Sequence, residues 1–177
     1  MNPERANLIV ATRRLSKRSV QALVGEKLRG DFAGMITFPG GKLNWTEEGL
    51  ENRYIAAQRE FHEETGIEVP RSSLRLAGRL RLYGDRFGLI DLFHTKATNK
   101  LPTSNDEIKL GWRTIDEKFY DGMPEDTKEW LPLVFSEDSF RINAVWRVGQ
   151  LCMLANGNHD TPHDIVGYFA HADKVTL

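Results

Sequence analysis

The chain has 177 residues, a formal net charge of −1 and a single cysteine. This length suits one domain with a sizeable core, and the balanced charge offers no broad basic surface to a nucleic acid polymer. Because there is no run of about 18 apolar residues, we expect no transmembrane helix and no membrane partner. A lone cysteine cannot form an intrachain disulfide, which fits a cytoplasmic location.

The first half of the chain predicts two strands and one helix. Strands are expected at residues 8–11 and 20–26, joined by the basic stretch 13–18, and residues 29–39 form a glycine-punctuated connection. Residues 51–65 give the clearest helical pattern, with Gly66 as a natural C-cap. The inward face of this helix is expected to include Tyr54, Ile55, Gln58, Phe61 and His62.

The second half predicts mainly strands. Residues 74–83 and 89–97 form a hairpin through 84–88, and further strands are expected at 109–115 and 139–148. Helical spacing of apolar residues predicts a second helix at 125–135. Cys152 is expected to be a buried small hydrophobe, residues 156–163 a loop and residues 164–169 a last short element. This order of strands and helices predicts an α/β sandwich, with helices flanking a mixed sheet.

Residues 59–67 place an arginine and three carboxylates ahead of a glycine. Residues three and four apart share a helix face, so Glu60, Glu63 and Glu64 would form one negative patch, at a cost of about 0.2–0.5 kcal/mol per like-charged pair. A bound cation would offset that cost. Carboxylate oxygens suit the hard ions Mg²⁺ and Mn²⁺, which commonly act on phosphates. The patch therefore points to phosphate-ester or pyrophosphate chemistry.

The stretch from Gly41 to Ile67 resembles the signature box of the Nudix hydrolases, G-x5-E-x7-R-E-U-x-E-E-x-G-U, where U is apolar. The second half of the box matches at Arg59, Glu60, Phe61, Glu63, Glu64, Gly66 and Ile67. The resemblance implies an α/β/α sandwich and a single Nudix domain over residues 1–177, with the box at 41–67 and a divergent C-terminal extension at 149–177.

The first half of the box is four residues too long. The spacing forward from Gly41 leads to Glu47, whereas the spacing back from Arg59 leads to Glu51. Four residues make roughly one helical turn, so both glutamates would share a face if the helix began earlier. We favour a widened loop at residues 44–49, because its Asn, Thr and Gly residues are typical of caps and turns. Glu51 is then the box glutamate.

The resemblance implies a metal site and its attendant residues. Glu60, Glu63 and Glu64 would ligate Mg²⁺, with Mn²⁺ as an alternative, while Arg59 holds and orients them and Gly41 offers a backbone carbonyl near the metal. Pyrophosphate hydrolysis requires charge neutralisation on phosphate oxygens and an activated water, which bound metals supply.

A second acidic loop resembles that of the oxidised-purine triphosphatases. Residues 103–108 are followed by Trp112, and Glu107 takes the position of an additional metal ligand or general base. The alternative is that the Asp106-Glu107 pair is a solvated surface feature. His62, which lies among the glutamates, is expected to be structural.

Two segments resemble the 8-oxo-dGTP hydrolase branch of the family. Residues 26–42 carry Lys27, then Arg-Gly, Ala-Gly and a polar residue, Thr37, before Gly-Gly-Lys, and residues 119–126 match a stretch that ends in paired acids. In that branch the paired acids contact the purine edge, so Glu125 and Asp126 would read the base. The same two acids also suit a helix start.

Departures from the branch put its base preference in question. Thr37 replaces an asparagine, and Met123 is the nearest residue to a missing tryptophan. Trp45, in the four-residue expansion, could compensate near the mouth of the site, but we favour an exposed loop position for it.

The predicted function is a Mg²⁺-dependent nucleoside triphosphate pyrophosphatase that releases a monophosphate and pyrophosphate. An oxidised purine triphosphate such as 8-oxo-dGTP is the leading substrate, which implies sanitation of the nucleotide pool. One alternative is hydrolysis of another NDP-X compound, such as a dinucleoside polyphosphate or a nucleotide sugar. The other is a non-catalytic domain that binds nucleotides or a protein partner, which the intact glutamate triad argues against.

Overall fold

A computed structural model describes residues 4–30, 33–84, 88–96, 100–124, 126–135, 140–147, 150–153 and 173–174. Its two α-helices within these ranges are α1 (Arg53–Thr65) and α2 (Thr127–Val134). The strands are β1 (Glu4–Ser16), β2 (Ser19–Lys27), β3 (Ile36–Thr37), β4 (Trp45–Thr46), β5 (Gly49–Leu50), β6 (Arg75–Gly84), β7 (Gly88–Lys96), β8 (Ile108–Thr114), β9 (Phe140–Arg147), β10 (Gln150–Met153) and β11 (Asp173–Lys174).

Nine of these strands form one mixed sheet. Its main order is β10-β9-β6-β7-β1-β2-β3, with β8 paired to β2 and β11 paired to β9. The β1–β7 and β6–β9 pairs are parallel and the remaining pairs are antiparallel. Strands β4 and β5 form a separate two-stranded ribbon.

The sheet is covered by a helix on each face. Along β1 the side chains alternate, so that Ile9 packs in the same core as Phe61 of α1, whereas Val10 packs with Leu131 and Val134 of α2. All five side chains are fully buried. This arrangement of helix, mixed sheet and helix confirms the predicted α/β sandwich.

Helix α1 ends at Thr65 as predicted and begins at Arg53, two residues later than predicted. The side chain of Asn52 accepts the Tyr54 N–H at 2.9 Å as an N-cap. At the other end Gly66 adopts the left-handed conformation, with φ of 67°, and donates its N–H to the His62 carbonyl.

The predicted inward face of α1 was partly wrong. Ile55 is 42% exposed and His62 is exposed, whereas Ala56, Ala57 and Phe61 are fully buried. The small side chains of the two alanines face the core, which permits close approach of the helix to the sheet. Apolar character alone placed Ile55 inside, although this position lies on the outer side of the first turn.

The other predicted strands and the second helix are confirmed to within about two residues, the usual uncertainty of element ends. The exceptions are at the two ends of the first strand, which was predicted at residues 8–11. It begins earlier, at Glu4, and it continues into the basic stretch 13–18, which was predicted as a connection. Strand β1 continues to Ser16 and β2 begins at Ser19, because Arg13 pairs with Gln21 and Arg14 with Val20 across the hairpin. Sequence reasoning also missed the short strands β3, β4, β5, β10 and β11.

Several predictions fall outside the described residues. These are the loop at 156–163, the last element at 164–169 and the side chain of Cys152, whose backbone belongs to β10. A single domain spanning the whole chain stays a prediction. Neither described helix combines the length and the apolar character needed to cross a membrane.

Candidate active site

Arg59 is the centre of a carboxylate network on α1. Its guanidinium donates to Glu51 at 2.8 Å, to Glu60 at 2.8 Å and to Glu63 at 3.0 Å, and it reaches the Lys42 carbonyl at 3.2 Å. One cation therefore joins three glutamates to the loop that follows Gly41. These contacts raise the pKa of Arg59, with the hydrogen bond to Glu51 as the largest cause.

The four extra residues of the box form the tip of the β4–β5 ribbon. Trp45 pairs with Leu50, and the indole is 63% exposed, as expected for a loop position. Glu47 is exposed in the turn, whereas the Glu51 carboxylate accepts from Arg59 and from the Asn44 N–H at 3.0 Å. The structure thus places Glu51, not Glu47, at Arg59. The hydrogen bond from Arg59 holds the Glu51 pKa below its ordinary value.

Glu64 points away from this network. It is 4% exposed and accepts hydrogen bonds from the Lys27 ammonium at 3.1 Å and from the Gly40 N–H at 2.8 Å. The three glutamates are therefore not the single surface patch that helical spacing predicts. Residues 60 and 64 share a face, but Glu64 lies closer to the sheet, where a lysine of β2 neutralises it.

The Glu60 carboxylate lies against the backbone of Gly41. A Cβ atom at Gly41 would stand 2.3 Å from the nearer Glu60 oxygen, so only glycine fits here without displacement. Burial raises the pKa of Glu60, and the Arg59 contact partly opposes that rise. Desolvated negative charge of this kind favours a nearby cation.

The donor chemistry fits a hard divalent cation. Within the described residues, no three acidic, histidine or cysteine side chains already converge as a metal site. The available donors are nevertheless oxygens: the Glu60 and Glu63 carboxylates, Glu64 behind them, and the Gly41 carbonyl, which accepts the Asn7 N–H at 2.8 Å and retains a second lone pair.

The loop that carries Glu107 is adjacent to α1. Asn105 organises it by accepting the N–H groups of Glu107 and Ile108 at 2.8 and 3.0 Å, and its amide donates to the Glu63 carbonyl at 3.5 Å. The Glu107 carboxylate pairs with Arg29 at 2.5 Å. Sequence reasoning missed the contacts of Arg29 and Asn105, and no local signal indicates the Arg29–Glu107 pair, whose members are 78 positions apart.

Two of the predicted base-reading residues, Thr37 and Asp126, lie in β3 and directly before α2. Thr37 is half-buried in β3, and the neighbouring Ile36 N–H donates to the Gly122 carbonyl at 2.8 Å, which joins β3 to the loop before α2. Asp126 is 4% exposed and accepts the Trp130 indole N–H at 2.7 Å. It makes no side-chain N-cap bond to α2. Glu125 lies outside the described residues.

Comparisons with known proteins identify the family to which the chain is similar. Residues 4–134 match the family model of the NUDIX domain. The chain is 31% identical over 124 residues to the oxidized purine nucleoside triphosphate hydrolase of Mus musculus, covering 68% of this chain and 75% of that protein.

Solved structures show the same fold. A MutT protein from Bacillus halodurans aligns with a TM-score of 0.68 at 20% identity, over 86% of this chain and 95% of that one. The NUDIX domain of Shewanella oneidensis NrtR, complexed with ADP ribose, aligns with a TM-score of 0.62 at 11% identity, over 75% and 86%. With family model, relative and fold in agreement, the chain belongs to the Nudix hydrolases, enzymes that act on phosphoric anhydride bonds.

Proposed function

We propose that this Nudix hydrolase is a Mg²⁺-dependent nucleoside triphosphate pyrophosphatase with an oxidised purine nucleoside triphosphate, such as 8-oxo-dGTP, as its substrate. The observation that carries the proposal is the Arg59 network of Glu51, Glu60 and Glu63 beside the Gly41 backbone. The 31% identity to the mouse oxidized purine nucleoside triphosphate hydrolase supports the substrate class.

The chain's own residues would bind the metal and orient the phosphates. Glu60, Glu63 and Glu64 would hold Mg²⁺, which when bound neutralises phosphate charge and makes a water nucleophilic. Arg59 would fix the Glu60 and Glu63 rotamers, because its guanidinium already bonds both carboxylates. Lys27 would release Glu64 and contribute positive charge at the phosphates.

Glu107 is the candidate for the additional base or ligand. Its backbone is held by Asn105, which also contacts α1, so the carboxylate stands on a positioned loop. Because Glu107 now pairs with Arg29, that contact would have to open before Glu107 accepts a proton. Arg29 would then be available to a substrate phosphate.

Base selection would depend on the polar side chains of β3 and of the start of α2. Asp126 is buried against Trp130, and Thr37 supplies a hydroxyl that both donates and accepts. Buried polar groups that pair with the donors and acceptors of one base discriminate strongly against other bases, since a base that does not match leaves these buried groups without a hydrogen bond.

A substrate panel with Mg²⁺ tests the proposal. Values of kcat/KM would be measured for 8-oxo-dGTP, dGTP, dATP, a diadenosine polyphosphate, ADP-ribose and a nucleotide sugar, with products separated by chromatography. We expect 8-oxo-dGTP to give the highest value and to yield pyrophosphate. Turnover of the nucleotide sugar or ADP-ribose at an equal or higher kcat/KM would overturn the substrate assignment while leaving the hydrolase class intact.

Glu63→Gln tests the metal assignment. If the metal supplies several kcal/mol to the transition state, this change removes at least about a hundredfold of kcat. Glu68→Gln is the matched control, because Glu68 is exposed just beyond the helix, and its kcat should stay within about twofold of the parent. Full turnover by Glu63→Gln would refute the assignment.

A further inference from the structure

A cavity of about 780 Å³ opens at the opposite end of the sheet from the Nudix box. It lies beside the β1–β2 turn and the ends of β7 and α2, with Arg14, Arg18, Lys96, His94, Ile115 and Phe135 among its lining residues. Along β2, Lys27 of the box region stands seven residues from Val20 of this cavity, roughly 23 Å in an extended strand. The two sites therefore cannot share one small ligand.

The described lining of the cavity is cationic and contains no acidic side chain. No ion pair within the described part of the chain engages Arg14, Arg18 or Lys96. The cations around the box differ, since Lys27, Arg29 and Arg59 are each matched to glutamates. Arg14, Arg18 and Lys96 are exposed, so they can reach an incoming anion without leaving a described partner.

Apart from Arg13, which donates to the Gln21 side chain at 2.7 Å, the remaining walls are apolar or uncharged. Phe135 is 41% exposed, stands edge-on to the His94 ring at 5.9 Å, and shares the lining with Val20 and Ile115. His94 hydrogen-bonds the Thr12 hydroxyl at 3.0 Å. Burial, followed by the charges of Arg75 and Lys96, lowers the pKa of His94 to about 4, so the imidazole is neutral at pH 7.

We propose that this cavity is a second binding site, separate from the Nudix box, for a small organic phosphate. The phosphate would meet Arg14, Arg18 and Lys96, and the aromatic or apolar body of the ligand would pack on Phe135 and Ile115. The volume falls within the range of about 300–1,000 Å³ that is usual for small-molecule sites. The inference does not depend on which substrate the Nudix box hydrolyses.

NMR of the His94 ring during titration of the full chain tests this site, since that ring lines the cavity. The probes are AMP as an organic phosphate, inorganic phosphate as the free ion, and adenosine as the uncharged body. We expect AMP to shift the ring signals saturably, with at least fivefold tighter binding than either other probe. The His94 pKa should rise on AMP binding, because the phosphate offsets the neighbouring cations.

A pair of charge variants makes the test specific. The double variant Arg14→Gln, Arg18→Gln should raise the Kd for AMP at least fivefold. The control double variant, Arg71→Gln with Lys128→Gln, removes two exposed cations elsewhere and should keep the Kd within twofold of the parent. Arg18→Gln alone, at the exposed turn, serves if the double variant fails to fold. The proposal is overturned if the His94 signals show no saturable shift up to 10 mM AMP, or if inorganic phosphate binds as tightly as AMP. It is also overturned if the control variant weakens AMP binding as much as the Arg14, Arg18 variant does.

Discussion

At the residue scale, Arg59 shares its charge among three glutamates, and the contact with Glu51 is the least exposed of them. The Glu51 side chain is 10% exposed and receives two hydrogen bonds from the guanidinium, at 2.8 and 3.1 Å. Hydrogen bonds to charged groups contribute about 1.5–3 kcal/mol. We therefore expect Glu51→Gln to lower the free energy of unfolding by about 2 kcal/mol in urea titrations.

Glu47→Gln is the control for that change, since both residues satisfy one half of the box spacing. Glu47 is exposed at the ribbon turn, so its substitution should alter the free energy of unfolding by no more than about 0.5 kcal/mol. If both variants lose the same free energy of unfolding, Arg59 does not bind Glu51 in preference to Glu47 in solution.

His94 should make stability depend on pH. Its folded pKa of about 4 lies below the ordinary 6.5, so the unfolded chain takes up a proton first as pH falls. The free energy of unfolding should then decrease between about pH 6.5 and 4, by at most about 3.4 kcal/mol. Urea titrations at several pH values measure this slope, and His94→Gln should flatten it.

His62→Gln is the matched control for the pH slope, because His62 is exposed on α1. This variant should keep the pH dependence of the parent. A slope that survives in His94→Gln but disappears in His62→Gln would contradict the assignment.

At the element scale, the β4–β5 ribbon is an insertion that the fold does not need. The Asn44 carbonyl accepts the Glu51 N–H at 2.8 Å across its base. Deletion of residues 45–48 would join Asn44 to Gly49 and turn this contact into the i to i+3 bond of a β-turn, with asparagine and glycine at favourable positions. It also restores the family spacing from Gly41 to Glu51. We expect the deletion variant to fold, with a free energy of unfolding within about 1 kcal/mol of the parent.

The same variant tests whether Trp45 takes part in substrate selection. The indole is 63% exposed and has no described aromatic neighbour within the part of the chain that the structure covers. The ratio of kcat/KM for 8-oxo-dGTP to that for dGTP should therefore stay within about threefold of the parent. A larger fall would assign the ribbon to the base pocket.

Local sequence signals predicted some elements well and others poorly, for physical reasons. Helix α1 has its own cap residues in Asn52 and Gly66, so its ends are encoded locally. Strand β3 has two residues and exists because β2 pairs with it, which no short window can reveal. The continuation of β1 through Arg13 and Arg14 likewise depends on cross-strand partners that lie beyond the turn.

In the candidate site, too, local sequence signals predicted some features and missed others. Spacing within α1 identified Arg59 and the glutamates, because one helix carries them all. It did not reveal that Lys27 of β2 neutralises Glu64 or that Arg29 pairs with Glu107. Those contacts join residues far apart in the chain, so tertiary packing decides them.

At the scale of the whole molecule, metal binding should couple to stability. A cation that binds the folded chain alone at ten times its Kd adds about 1.4 kcal/mol, which raises Tm by roughly 3–5 °C for a chain of this size. We expect Mg²⁺ to raise Tm over a chelator-treated sample, because it offsets the charges of Glu60, Glu63 and Glu64. Glu63→Gln should lose most of that rise, whereas Glu68→Gln should keep it. Since this readout needs no substrate, an unchanged rise in Glu63→Gln would refute the metal assignment even if the true substrate is another nucleotide.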